Sequence, residues 1–322
     1  MSADPVHALF PPIEPFHHGF LPVLDGHHVY FEQCGHAKGL PVLFLHGGPG
    51  SGCSAKHRQL FNPLKTHVVL FDQRGCGRST ADDPLTHNHT QALIQDIERL
   101  RLQLKIDQWL VVGGSWGAGL GLAYASAHPS ACLGLVLRGV FLSRPSDLHW
   151  FFQEARVVMP DAWAALAALV PNSQRHAIAN FMYEQLLLAE EAVALPLAQA
   201  WQAWENALTN RSFGGSAAPS LNATDAQTML QKYRLQSHYL KQHCFFPEPG
   251  LLPHLSPLKT LPVHLLHGRL DWICRPESAW AVHQALPHSQ LQWVDNAGHN
   301  MFEPLMTQAL LQTIEAATQT HL

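Results

Sequence analysis

Apolar residues along this chain cluster in short runs separated by glycine-rich turns and longer stretches of helical period. VLFLH at 42–46 and VVLFD at 68–72 are runs of the kind that form strands buried on both faces. Between 90 and 104 the apolar positions Leu93, Ile94, Ile97, Leu100 and Leu104 repeat with the period of an amphipathic helix. WLVVGG at 109–114 predicts another buried strand. The Gly, Ala and Leu of 116–128 predict a closely packed helix stopped at Pro129, and LGLVLRGV at 133–140 the next strand. From about 142 to 245 the chain is rich in Ala, Leu, Trp and Gln, with helical spacing and no clear strand. Alternation then resumes with LPVHLLHG at 261–268, a helix around 277–286, LQWVDNAG at 291–298 and a last helix from about 303. Strands alternating with helices predict an α/β fold, a mostly parallel sheet with helices on both faces. The excursion divides the chain into a sheet domain, 1–141 with 246–322, and an inserted all-helical cap domain, 142–245. Ligands of such sheets bind beyond the carboxyl ends of the strands, so the cap is expected to roof the site.

Composition fits this picture. Of 322 residues, 47% are hydrophobic and 14% charged, enough apolar material for a sizeable core. The formal net charge is −4 and no run of Lys or Arg exceeds two residues, which argues against a nucleic-acid partner. MSADPVHALFPPIEPF has neither the basic region nor the apolar stretch of a signal peptide, and no apolar run approaches the roughly 20 residues of a membrane helix. The six cysteines, at 34, 53, 76, 132, 244 and 274, are scattered in a way that suggests neither a disulfide framework nor a zinc site. A cytoplasmic location with reduced thiols is the expectation. Among the 23 histidines, His87 and His89 form H-x-H and His17 and His18 are adjacent. No carboxylate is placed to complete either pair, so they read as loop and surface residues, and no metal or other cofactor is expected.

The strongest local signal is Gly113-Gly114-Ser115-Trp116-Gly117, between a predicted strand and a predicted helix. A nucleophilic serine on a sharp strand-to-helix turn exposes its hydroxyl, and small residues two before and two after let the helix and the neighbouring strand close around it. The helix N-terminus offers amides to developing negative charge. This is the G-x-S-x-G elbow of the α/β-hydrolase fold. The glycines at 117, 119 and 121 lie within the helix, in the wrong place for a dinucleotide loop, and HGGPGSGCSAK at 46–56 lacks the ending of a phosphate loop. His46-Gly47-Gly48-Pro49-Gly50 follows the strand at 42–45, where this fold draws one oxyanion-hole amide. The expected donors are the N–H groups of Gly48 and Trp116, with the His46 ring bracing the loop. Each such donor contributes about 3–4 kcal/mol to the transition state. The base and its orienter should follow in the order Ser, Asp, His. Asp271 in HGRLD and His299 in NAGH do so, each just past a strand, ahead of the neighbouring candidates His267 and Asp295.

At this point the sequence resembles the proline iminopeptidases, the prolyl aminopeptidase family of serine peptidases, from about residue 15 to 305. The likeness rests on HGGPG (46–50), DQRGCGRS (72–79), GGSWG (113–117), LRGVF (137–141), WFFQE (150–154) with MPDAW (159–163), WQAWE (201–205), HGRLDWIC (267–274) and AGHNMFE (297–303). It implies metal-free release of N-terminal proline from a peptide or small-molecule substrate with a free imino group. Acidic residues of the cap would hold that group and an apolar pocket the ring. Glu205 matches a cap acid, and Phe141, Phe151 and Cys274 match pocket positions. Spacing alone gives Trp201, Trp204 and Glu205 a plainer reading, an amphipathic helix with a solvated acid.

The chain departs from the family in Arg234-Leu235-Gln236-Ser237-His238-Tyr239-Leu240, where the family reads Arg-Ile-Glu-x-His-Tyr-Phe. Gln236 replaces the second acid and Leu240 an aromatic wall. A carboxylate's hydrogen bond to an ammonium contributes about 1.5–3 kcal/mol and a neutral one roughly 1, so the change bears on amine recognition and leaves the triad untouched. Two alternatives stand beside the peptidase. One is an esterase, amidase or lactonase acting on a small apolar acyl group. The other is a non-catalytic ligand-binding protein on the same scaffold. Oligomeric state is not set by the sequence.

Overall fold

The computed structural model describes residues 9–23, 25–212, 214 and 221–321. The first eight residues of the opening stretch, Leu24, residues 213 and 215–220 of the cap segment, and Leu322 lie outside the described residues.

Among the described residues the sheet has nine strands: β1 (His17–Pro22), β2 (His27–Gly35), β3 (Leu40–Leu45), β4 (Thr66–Phe71), β5 (Thr80–Ala81), β6 (Trp109–Gly114), β7 (Cys132–Arg138), β8 (Val263–Gly268) and β9 (Gln290–Val294). Their order is β1-β2-β4-β3-β6-β7-β8-β9, with β5 paired to β2. Every pairing from β4 to β9 is parallel, while β2 runs antiparallel to β1, β4 and β5. The helices of the sheet domain are α1 (Ala55–Arg58), α2 (Thr90–Gln103), α3 (Trp116–Ala127), α9 (Pro276–Ala285) and α10 (Pro304–Gln319). Between β7 and β8 lie α4 (Pro145–Phe152), α5 (Pro160–Ala167), α6 (Ile178–Leu188), α7 (Glu191–Asn210) and α8 (Ala223–Lys241). Among the described residues this insertion contains no strand.

Side-chain alternation along the strands makes the two faces. Val42, Phe44, Leu110 and Val112 point to one side, where Met306, Leu310 and Ile314 of α10 cover them at four-residue intervals. Leu43, Leu45, Trp109 and Val111 point to the other, where α2, α3 and α9 pack and the core continues into the helical insertion through Phe152, Trp201 and Tyr233. Every residue of β4 and β6 is buried, which explains runs without alternation in the sequence.

Two features differ from the sequence expectation. The antiparallel β1–β2 hairpin was not anticipated. His17, His18, His27 and His28 obscure its alternation, although Val29 and Phe31 are fully buried. The strand expected over 291–298 ends at Val294, because Asn296 takes the left-handed conformation, φ +60°, and turns the chain.

Candidate active site

Ser115 joins β6 to α3 with φ +58° and ψ −124°, a conformation that costs a residue with a Cβ about 1–3 kcal/mol. Main-chain bonds hold it there. Its N–H donates to Arg138 O at 2.9 Å, and its carbonyl accepts from the Ala118 N–H at 3.0 Å. The flanking glycines are required by contact. A Cβ on Gly113 would lie 2.4 Å from Gly117 O, and one on Gly117 would lie 2.2 Å from Leu45 O.

His299 Nε2 stands 3.2 Å from Ser115 Oγ, and His299 Nδ1 stands 2.8 Å from Asp271 Oδ2. A carboxylate only accepts, so Nδ1 carries the proton and Nε2 presents its lone pair to the serine hydroxyl. Asp271 is buried, and its Oδ1 accepts the N–H groups of Ile273 (3.0 Å) and Cys274 (2.8 Å). Burial alone would push this carboxyl up. The charge and hydrogen bond of His299, with His267 and the Cys274 amide, outweigh burial and hold it below the usual carboxylate range. His267 lies 3.6 Å from Asp271 Oδ2, but its Nε2 donates to Cys274 O at 2.7 Å. Burial lowers its basicity, so it shapes the turn as a neutral ring. Asp295 is exposed, 3.8 Å from Arg269.

Gly48 lines the cavity in front of Ser115, and Trp116 is the first residue of α3, where an amide has no acceptor within its own helix. The loop carrying Gly48 is braced by His46. Its Nε2 accepts from the Gln73 N–H at 3.0 Å, leaving the proton on Nδ1, 2.8 Å from Gly47 O. Gln73 Oε1 in turn accepts from the Trp116 indole at 2.7 Å. One glutamine thus ties together the two segments expected to supply oxyanion donors.

The cavity measures about 290 Å³. Phe141, Phe151, Leu240, Cys274, Glu205 and Gln236 all line it, together with Ser115 and His299. Cys274 Sγ is 3.9 Å from Ser115 Oγ, and burial pushes its thiol far up, so it is a protonated apolar wall. Trp201 and Trp204 are fully buried. Trp201 packs on Phe152 and Tyr233, and the Trp204 indole donates to Phe151 O at 3.0 Å. Glu205 is no solvated surface acid: Tyr233 Oη and Gln236 Nε2 each donate to its carboxylate at 2.7 Å.

Arg138 was not singled out from the sequence as a site residue. It ends β7, is buried, and its guanidinium donates to the carbonyl of His299 from beside Gly114. Burial pushes its basicity down, and Asp271 and Cys274 oppose that. Its signal was visible, an arginine within the apolar run LGLVLRGV. One member of each histidine pair weighed as a metal ligand has another partner. His89 caps α2 by accepting the Ala92 N–H at 3.2 Å, and His17 Nδ1 lies 2.8 Å from Gln33 Nε2.

The proline iminopeptidase of Xylella fastidiosa is 42% identical to this chain over 308 residues, 95% of this chain and 98% of that protein. That of Xanthomonas citri is 41% identical over 312 residues, 96% and 99% of the two chains. The chain belongs to the proline iminopeptidase family. Residues 41–304 match the α/β hydrolase fold family. The crystal structure of the Mycobacterium smegmatis proline iminopeptidase superposes with a TM-score of 0.60, covering 95% of this chain and all of that one. At 19% identity this is a likeness of fold. The family match extends over both the sheet elements and the helical insertion. Among the described residues no helix is long and apolar enough to cross a membrane.

Proposed function

We propose that this chain is a serine aminopeptidase that releases N-terminal proline through an acyl-enzyme, with residues 142–245 as the cap domain and the remainder as the catalytic domain. The observation that carries the reading is the ordered contact Ser115–His299–Asp271 on a cavity that a carboxylate, Glu205, also lines. A peptide entering imino end first would place its ring against Phe141, Phe151 and Cys274 and its first carbonyl at Ser115.

Chemistry follows from the proton positions. Ser115 Oγ attacks the carbonyl carbon as its proton passes to His299 Nε2. The imidazolium is stabilised by Asp271, and the oxyanion is received by the amides of Gly48 and Trp116. Collapse breaks the C–N bond, and Nε2 returns the proton to the leaving amine. Water, deprotonated by the same nitrogen, then releases proline from Ser115. No step requires a metal. All six cysteines are free thiols, in keeping with work in a reducing compartment such as cytoplasm.

Ser115→Ala tests the reading. It should abolish prolyl-arylamide turnover and labelling by a fluorophosphonate while leaving the melting temperature within a few degrees. Wild-type rates in that variant would refute the assignment.

A further inference from the structure

The amine end of the cavity is built from two cap helices. Helix α7 brings Glu205, and α8 brings Lys232, Gln236 and Leu240, which share one face at four-residue spacing and all line the cavity. Lys232 Nζ lies 3.6 Å from Glu205 Oε2. It is kept there by the neighbouring Tyr233, whose hydroxyl is 3.4 Å from Nζ and whose ring centroid is 4.7 Å away. Glu205 is therefore already engaged on both oxygens, by Tyr233 and a cation on one and by Gln236 on the other.

Of the charged residues that α7 and α8 bring to the cavity, one carboxylate stands against one ammonium, with an amide where the family carries a second acid. Gln236 Oε1 is buried and has no hydrogen-bond partner, so the unsatisfied acceptor beside Glu205 is a neutral one. A pocket dominated by carboxylates must be filled by a cation, because an unmatched buried charge is costly. A pocket that carries its own cation makes no such demand.

We infer that Lys232 is a specificity-determining residue that cancels the charge of Glu205, so that this end of the cavity takes neutral five-membered-ring acyl groups alongside the cationic prolyl group. The inference rests on the aminopeptidase reading and extends its substrate class to amides of uncharged cyclic acids.

The test compares prolyl-4-nitroanilide with cyclopentanecarbonyl-4-nitroanilide, which keeps the ring and the scissile amide but lacks the nitrogen. The quantity read is the ratio of their kcat/KM values at fixed pH and ionic strength. Lys232→Met should raise that ratio at least fivefold by exposing the Glu205 charge to the prolyl cation, and Gln236→Glu should raise it in the same direction. Lys232→Arg should hold it near wild type. Lys232→Gln is the second neutral variant should the methionine protein fold poorly. A ratio that moves less than fivefold in both neutral variants overturns the role of Lys232. Wild-type protein inert on both anilides overturns the peptidase reading and this inference with it, whereas prolyl activity with an unmoved ratio overturns this inference alone.

Discussion

Replacing Asp271 with asparagine isolates what this carboxylate does for His299. Asp271 Oδ1 accepts two backbone N–H groups, from Ile273 and Cys274, while Oδ2 faces His299 Nδ1 at 2.8 Å. Asparagine at 271 has two orientations. With its oxygen toward the backbone amides, both of those bonds survive and its NH₂ faces Nδ1. The imidazole must then accept at Nδ1 and carry its proton on Nε2, pointing at Ser115 Oγ. In that tautomer it cannot take the serine proton. The flipped orientation restores the productive tautomer but sets an NH₂ against two N–H donors. Leaving two buried donors unpaired costs about 1–3 kcal/mol each, so the unproductive orientation prevails by roughly 2–6 kcal/mol. The expected loss of kcat is about 10⁴-fold, the scale seen when the orienting acid of other serine triads is neutralised this way. Prolyl-arylamide hydrolysis gives the rate, and thermal melting verifies that the two backbone bonds persist. A loss below about 30-fold in a folded variant would mean that His299 finds its tautomer without Asp271.

Glu205→Gln should lower kcat/KM for prolyl-arylamide more than tenfold, since it leaves Lys232 facing the substrate's cation uncompensated, while a neutral aryl ester should change less than threefold; about 1.4 kcal/mol corresponds to each factor of ten. Equal losses on both substrates would give Glu205 a structural role only. The His57 ring, between Phe44 and Phe302, is held by burial at a pKa of about 4 against 6.5 when free, so the unfolded chain binds its proton first as pH falls. Stability is therefore intact above pH 6.5 and lost progressively toward pH 4, by roughly 2–3 kcal/mol at pH 4.5. His57→Gln should flatten that part of a melting-temperature profile, and an unchanged slope would assign the loss to other groups.

Both the parallel strands and the meeting of Ser115, His299 and Asp271 were legible because each depends on short local patterns. A strand buried on both faces needs an unbroken apolar run, and β4 and β6 have one. The serine turn needs glycines where Gly113 and Gly117 meet backbone oxygens, so its geometry is written in adjacent letters. Asp271 and His299 follow because strand ends are where this topology places loops. The β1–β2 hairpin was not legible for the opposite reason. The burial of β2 alternates only over its first four residues, where histidines occupy both kinds of position, and buried Glu32 is paired by Arg58 of α1 and by Arg78 from a distant loop. Gln73 is visible in DQRG, but its task of joining His46 to Trp116 exists only once two loops and the start of α3 are folded together.

The cap shows a more general obstacle. Amphipathic period places Trp201 and Trp204 on the buried face of α7 and Glu205, four residues after Trp201, along that same face, so a helix read alone takes the acid for one solvated at the edge of an apolar stripe. Beside a cavity that inference is ambiguous. The stripe meets the cavity in front of Ser115, which admits polar residues as bulk solvent does. Lys232 and Gln236 are ambiguous in the same way. They occupy successive turns of α8, where surface helices commonly carry lysine and glutamine. What separates the two cases is convergence. A solvated acid keeps its hydration, whereas Glu205 has exchanged it for Tyr233 and Gln236, both from the facing helix. Such an exchange couples residues about thirty apart through the packing of two helices, so no pattern within either helix encodes it. The substitution of glutamine for the usual acid acquires its meaning only there, since an amide donates to Glu205 where a second carboxylate would repel it. The cap acid is thus held in place by the residue that weakens the site's demand for a cation.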